Sequence, residues 1–375
     1  MVDLSSKPFN LSDEDILWVE ETKNALSLEE KIGQLFDVQC YDMTNFVSLG
    51  QYDARSAFEK ALKYHAGGLH LFGFTPESTK SFQQKILNDV QRSSKIPLLI
   101  SGDMEKGGAW GAFDGTNFGT QMQVAATNDE EVAQRYGEVI ATESTAMGFN
   151  WHFGPVVDIN YNFRNTITNT RSFGDTPAVV TKFATPIIKT IQSFPMAACA
   201  KHWPGDGVDD RDQHVVLSIN SMSMNEWRDT YKKVYKDTID AGVLSVMSAH
   251  IALPSFYEEL GIIDVEKKHT PGSLSFELNQ KLLREELGFN GLIVSDATPM
   301  TGMESYCPRN ELVPRSIAAG VDMFLFVLDL EYDFNAMLEG FNKGIITEER
   351  LDEAVTRILG LKATLRLHKA KENGT

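Results

Sequence analysis

The sequence lacks most of what would place a chain in a membrane, on a nucleic acid or in a disulfide framework. No run of about 18 apolar residues occurs, so no membrane-spanning helix is expected. Positive charge is scarce: 35 Lys and Arg stand against 52 Asp and Glu, a formal net charge of −17. That balance argues against nucleic acid and anionic membrane surfaces as partners. The three cysteines, Cys40, Cys199 and Cys307, are scattered and odd in number. They suggest neither a disulfide framework nor a zinc site. The first ten residues have no apolar h-region, so no signal peptide is expected, and the cytoplasm is the simplest compartment. Internal repeats, low-complexity runs and interdomain linkers are also missing.

What is present is an ample core and a repeating pattern. The chain has 375 residues, 42% of them hydrophobic. Eight short apolar runs read as strands: 32–39, 66–73, 96–101, 149–159, 195–200, 243–250, 291–296 and 321–327. Several are continuous rather than alternating, as strands buried on both faces require. Helical stretches alternate with them, over 11–26, 129–147, 176–193, 225–241, 275–287, 309–319, 332–342 and 347–362. Eight such units predict a parallel (β/α)8 barrel, with a doubly wound open sheet as the competing arrangement. The expected division is a helical extension over 1–26 packed on the barrel, the (β/α)8 barrel over 27–366, and a polar tail or start of a linker over 367–375.

A barrel places its chemistry at the C-terminal ends of its strands. Polar groups recur there: Asp103 and Glu105 after strand three, Asp158 and Asn160 after four, Lys201 and His202 after five, His250 after six, Asp296 after seven. Packing alone does not require so many. The richest stretch is Lys201-His202-Trp203-Pro204-Gly205-Asp206-Gly207, followed by Asp212-Gln213-His214. The run 195–200 reads as a strand that ends where these charges begin, and Pro and Gly then force an irregular loop.

Each residue type admits more than one role. Asp296 follows a buried run, so it is either a core hydrogen-bonding group or a nucleophile facing a sugar carbon. Asp212, two residues from His214, can orient the imidazole and raise its basicity, or the two form a solvated loop pair. Lys201 and His202 either cap the barrel rim or donate hydrogen bonds to substrate hydroxyls. Lys201 could instead form a Schiff base. Arg171 is either a surface ion pair or a donor fork for sugar oxygens. Metal-dependent hydrolysis through His202, Asp206, Asp212 and His214 and a non-catalytic sugar-binding module complete the alternatives.

Taken together, these residues resemble glycoside hydrolase family 3 in its β-N-acetylglucosaminidase branch. The spacing K-H-x-P-G-x-G-x-x-x-x-D-x-H stands intact over 201–214, and 141–160, Arg171 to Asp175, 249–254 and 283–296 are similar to flanking blocks. The resemblance runs from about Ser27 to Lys362. It implies a retaining exo-hydrolase acting on terminal β-linked N-acetylglucosamine. Asp296 would be the nucleophile, His214 the general acid/base and Asp212 its partner. Asp103, Arg171, Lys201 and His202 would bind sugar hydroxyls, with Met247 and His250 nearby. It implies no metal and no organic cofactor, a carbohydrate substrate of peptidoglycan, chitin or glycoconjugate origin, and a monomer or homodimer. β-Glucosidases of that family take their acid/base from a second domain, which this length is not expected to accommodate. A neutral imidazole repels an anion less than a carboxylate does, so phosphate is expected to compete with water for the glycosyl-enzyme. The Gly/Pro-rich loop is expected to be mobile and to close on substrate.

Three positions depart from the family pattern. Lys106 intervenes after the strand-three Asp-x-Glu, and Ala109-Trp110-Gly111 supplies no Arg. Ala297 replaces the second Asp after strand seven. Gln213 replaces the Ser between Asp212 and His214.

Overall fold

The computed structural model describes residues 2–41, 54–72, 88–108, 115–327 and 329–372. Gly73, Ala109-Trp110-Gly111 and 373–375 lie outside them.

Ten strands are described: β1 (Phe36–Tyr41), β2 (Gly68–Phe72), β3 (Leu99–Gly102), β4 (Trp151–His152), β5 (Ala197–Trp203), β6 (Ser218–Ile219), β7 (Ser245–Ser248), β8 (Ile251–Ala252), β9 (Leu292–Ser295) and β10 (Phe324–Leu325). Eight form one all-parallel sheet in the order β10-β1-β2-β3-β4-β5-β7-β9. A parallel bridge between Val294 and Met323 joins the two ends, so the sheet curls into a nearly closed barrel. A doubly wound sheet has two free edges, and this closure excludes it. β6 and β8 form a small parallel pair above the rim, where they tie down the loop that follows β5.

Local chemistry explains most element ends. Ser27 and Glu30 form a capping box, and this starts a helix at Leu28–Gln34. The expected strand 32–39 is therefore corrected: its first residues close that helix and β1 begins at Phe36. The run 149–159 gives only the two-residue β4 before Pro155, which has no N–H to give to a ladder. The expected helix 225–241 is two helices, Met224–Asp229 and Tyr231–Asp240, broken at Thr230 (φ −123°, ψ −88°). The expected helix 275–287 winds as a π-helix over Glu277–Glu286.

β5 matters most for the site. It does not stop at Ala200 but runs on through Lys201 and His202 to Trp203. Its register against β7 shifts between Ala200 and Trp203, which marks a bulge carrying one extra residue. In a regular strand adjacent side chains face opposite ways. The bulge relaxes that rule and re-aims the two side chains, and both Lys201 and His202 line the cavity at the barrel mouth.

At the opposite end of the chain, residues 2–26 add Leu4, Phe9 and Val19 to the core. The helix Asp13–Ala25 meets the helix Leu367–Glu372, where His368 stacks on Trp18 at 4.5 Å and its Nε2 donates to Asp15 at 3.1 Å. Residues 367–372, expected as part of a polar tail, are thus helical with His368 buried.

Candidate active site

A cavity of about 580 Å³ opens at the C-terminal ends of the barrel strands. Asp103, Arg171, Lys201, His202, His214, Met247 and Asp296 all line it. One expected liner does not. His250 is fully buried behind the wall, where its Nδ1 accepts from Ser273 Oγ at 2.8 Å and its Nε2 donates to the Ala297 carbonyl at 2.9 Å. It braces the loop carrying Asp296 instead of lining the cavity.

The floor is a closed network of charge. Lys201 Nζ lies 2.6 Å from Asp103 Oδ1 and 2.7 Å from Glu105 Oε1. Arg171 grips the Glu105 carboxylate with two nitrogens, at 2.7 and 2.8 Å. Burial disfavours both charges, yet Asp103 and Glu105 hold Lys201 well above its ordinary value, and Glu105 raises Arg171 similarly. Burial would raise Glu105, but Arg171 and Lys201 hold it well below the ordinary carboxylate range. A lysine clamped by two carboxylates holds its proton and is a poor Schiff-base nucleophile.

His202 is oriented by Asp158, which takes the backbone N–H of His202 on one oxygen (3.1 Å) and Nδ1–H on the other (2.6 Å). Its Nε2 then faces Arg171 Nη2 at 3.4 Å. Asp158 is completely buried and also accepts from the Asp206 N–H at 2.8 Å, which ties the loop start to the floor. Glu105 and Asp158 are the partners that sequence reasoning undervalued. Both were visible as polar strand ends, but nothing in a linear sequence says which cation each will meet.

Asp296 closes the far wall. Burial pushes its carboxyl up, but His202, His250, the Ala297 N–H at 2.7 Å and His214 together hold it below its ordinary 3.8, so it is ionised. No second carboxylate follows it, because position 297 is Ala.

The loop from Pro204 to Leu217 brings His214 to the same cavity. Gly207 sits at φ +104° with its α-carbon against Ile159, where a Cβ would lie 2.0 Å from the carbonyl oxygen. Asp206 is buried and accepts from Asn165 Nδ2 at 2.8 Å and the Gly207 N–H at 2.6 Å. Burial, then the nearby Asp158, push its carboxyl up to about 6. Asp209 binds Arg211 and the Ile219 N–H. Asp212 accepts both the His214 N–H (2.8 Å) and Nδ1–H (2.7 Å), which leaves the far ring nitrogen for chemistry. Between them Gln213 turns inward and is buried. Its Oε1 accepts from the His250 N–H at 3.0 Å and its Nε2 reaches Asp206 Oδ2 at 3.4 Å. The carbonyls of Gln213 and His214 accept from the N–H groups of Gly302 and Thr301. Among the described residues, no group of three or more His, Cys, Asp or Glu side chains could hold a metal ion. His202, Asp206, Asp212 and His214 therefore do not form the ligand set the metal alternative needs. No helix among the described residues is long and apolar enough to cross a membrane.

With this geometry in view, comparison with known proteins is decisive for the family. Residues 27–361 match the glycosyl hydrolase family 3 N terminal domain. The chain belongs to glycosyl hydrolase family 3. It is 44% identical over 370 residues to a β-N-acetylglucosaminidase/β-glucosidase of Cellulomonas fimi, covering 98% of this chain and 63% of that protein. Among solved structures it superposes on a β-glucoside phosphorylase BglX bound to 2FGlc with TM-score 0.91 and 41% identity, covering 98% of this chain and 64% of that one. A family 3 β-N-acetylglucosaminidase from Paenibacillus sp. str. FPU-7 superposes with TM-score 0.80 and 29% identity, covering 92% of this chain and 64% of that one. The chain thus spans just under two thirds of the length of these relatives.

Proposed function

We propose that this chain is the catalytic barrel of a retaining, exo-acting glycoside hydrolase that removes terminal β-linked N-acetylglucosamine. One observation carries the reading: a single cavity holds the Asp296 carboxyl group, a His214 backed by Asp212, and a floor of hydrogen-bonded charges. The Asp296 carboxylate attacks the anomeric carbon, forming a glycosyl-enzyme while the bond to the leaving oxygen breaks. Protonated His214 gives its far ring proton to that oxygen, and Asp212 stabilises the imidazolium beforehand. In the second half the neutral ring takes a proton from water, which attacks the same carbon and frees Asp296. Asp103, Lys201, Arg171 and His202 hold the ring hydroxyls in the first subsite, and Met247 packs against it. His250 serves the same step at one remove, by bracing Ala297.

A neutral histidine in this role leaves room for an anionic acceptor, since like-charge repulsion of the kind a carboxylate would exert is missing. The reading therefore includes phosphate as an alternative to water, with a sugar 1-phosphate as product. The naming of BglX as a phosphorylase supports this part. A broader β-glycosidase, active on glucosides too, is the second reading, favoured by the double name of the Cellulomonas fimi relative. The division into residues 1–26, 27–366 and 367–375 and a monomeric or homodimeric state in the cytoplasm belong to the same proposal. The test compares p-nitrophenyl N-acetyl-β-glucosaminide with p-nitrophenyl β-glucoside while phosphate is raised. Preference for the acetamido sugar and a growing share of sugar 1-phosphate are expected. Equal turnover of both sugars supports the broader reading, and product ratios indifferent to phosphate remove the phosphorolytic part.

A further inference from the structure

Beneath the cavity floor lies a second line of buried polar groups that the mechanism does not use. Asp37 on β1 is fully buried. Its Oδ2 is 2.7 Å from Ser101 Oγ on β3, and its Oδ1 has no hydrogen-bond partner among the described residues. Ser101 Oγ is 2.9 Å from Nδ1 of His70, its register partner on β2. His70 is also fully buried, with its ring stacked on Phe153 at 5.1 Å and against Phe326 at 4.5 Å. The other ring nitrogen, Nε2, lies 3.6 Å from Asp103 Oδ2, an electrostatic contact longer than a hydrogen bond, while Asp103 Oδ1 is held by Lys201.

The order of protons along this line is constrained. A fully buried carboxylate with one hydrogen-bond partner is costly to ionise. Lys362 acts on it only through charge, and its amine donates to Gln34 Oε1 at 2.6 Å. Burial, opposed by Ser101 and then Lys362, pushes Asp37 up to about 8, and burial brings Lys362 down to about 7 despite Asp37. A protonated Asp37 donates to Ser101 Oγ. Ser101 has one proton, and it then goes to His70 Nδ1. Burial keeps the His70 ring neutral by lowering it to about 4, so its remaining proton sits on Nε2, facing the Asp103 carboxylate. Reversing the line would turn a ring lone pair toward that carboxylate and repel it.

We propose that Asp37, Ser101 and His70 form a relay that fixes the His70 tautomer and so holds Asp103 in place, with His70 as a positioning residue. That Asp103 meets a sugar hydroxyl rests on the function proposed above. The relay itself is read without substrate. Long-range ¹H–¹⁵N NMR of wild type at pH 7, with the His70 signals assigned by their loss in His70→Gln, is expected to show an Nε2–H ring. An Nδ1–H ring or an imidazolium overturns the relay. Ser101→Ala is then expected to shift the tautomer and raise KM about tenfold more than it lowers kcat. Adding Asp37→Leu to Ser101→Ala should cost nothing further. Asp37→Asn, whose amide can still donate to Ser101, should keep both tautomer and KM. A folded Ser101→Ala protein with unchanged tautomer and KM contradicts the proposal. An Nε2–H ring together with an Asp103→Asn protein of unchanged KM would instead remove Asp103 from the sugar site and leave the relay standing.

Discussion

On the cavity floor the side chains of Lys201 and Glu105 are 3% and 7% exposed, and each meets opposite charge at 2.7 Å. On the loop above, the side chain of His214 is 55% exposed and meets one carboxylate. The floor suits recognition. Its charges are desolvated, partnered and fixed, so they can hold a sugar without reorganising. The same clamping deprives them of acid–base capacity. The loop suits proton transfer, because an exposed imidazole with one orienting partner can exchange its proton with water. Asp296 stands between these regimes. It is buried like the floor, but it is stabilised by histidines and a backbone N–H instead of a clamping cation, so its oxygens stay available.

The largest effect expected from breaking this division is at Asp296. Asp296→Ala should lower kcat on the order of 10⁴-fold, measured in steady state with the protein's melting temperature unchanged. Next comes the loop. His214→Ala should cost about 10²–10⁴-fold on glycosides with poor leaving groups and far less on nitrophenyl glycosides, which need little protonation. A uniform loss across leaving groups would mean that His214 does something other than donate a proton. The floor should fail differently. Lys201→Met takes the cation from Asp103 and leaves Glu105 to Arg171 alone, and should destabilise the fold by about 3–5 kcal/mol in chemical denaturation. Asp212→Asn, on the loop, should leave that denaturation midpoint nearly unmoved while slowing turnover.

The floor also predicts a pH response. Glu105 is held below its ordinary 4.5 in the folded chain. The unfolded chain therefore takes up the proton first as pH falls, so the stabilisation is full above that ordinary value and is lost as pH drops through the lowered folded one. Thermal melts should show stability falling on acidification below pH 4.5, and the fall should be shallower in Glu105→Gln. The smallest effect concerns the seam between the two regions. Gln213 joins the loop to His250 and Asp206, and Gln213→Ser should loosen it. The expected reading is a few-fold drop in kcat/KM, with faster hydrogen exchange over 208–216 and an unchanged floor. Unchanged exchange would show that the backbone bonds to Thr301 and Gly302 hold the loop unaided.

Much of this is legible in the sequence. Parallel strands buried on both faces show as continuous apolar runs, and polar groups just after such runs fall on one rim. That is why Asp103, Lys201, His202 and Asp296 could be gathered from spacing. The failures have particular causes. At Ile32 the apolar run continued from helix into strand, and only the Ser27–Glu30 cap marks the join. At Lys201 a change of composition looked like a strand end, whereas a bulge carries the strand onward. His250 follows a strand as the true liners do, but Ser273 and Ala297, far away in sequence, draw it behind the wall. Gln213 was readable only as a departure from pattern, because its role depends on the burial of an amide between two loops. Asp37, Ser101 and His70 lie inside apolar runs, and their meeting depends on barrel register, which no local pattern encodes.

The most direct test of the central claim is covalent trapping. The protein would be incubated with a 2-deoxy-2-fluoro-β-glucosyl fluoride and with a 5-fluoro-β-N-acetylglucosaminyl fluoride, then weighed intact and mapped by peptide mass spectrometry. One sugar per chain, attached at Asp296, is the result predicted. A sugar attached to Asp103, Glu105 or another carboxylate, or turnover of both fluorides with inversion and no adduct, would contradict the account.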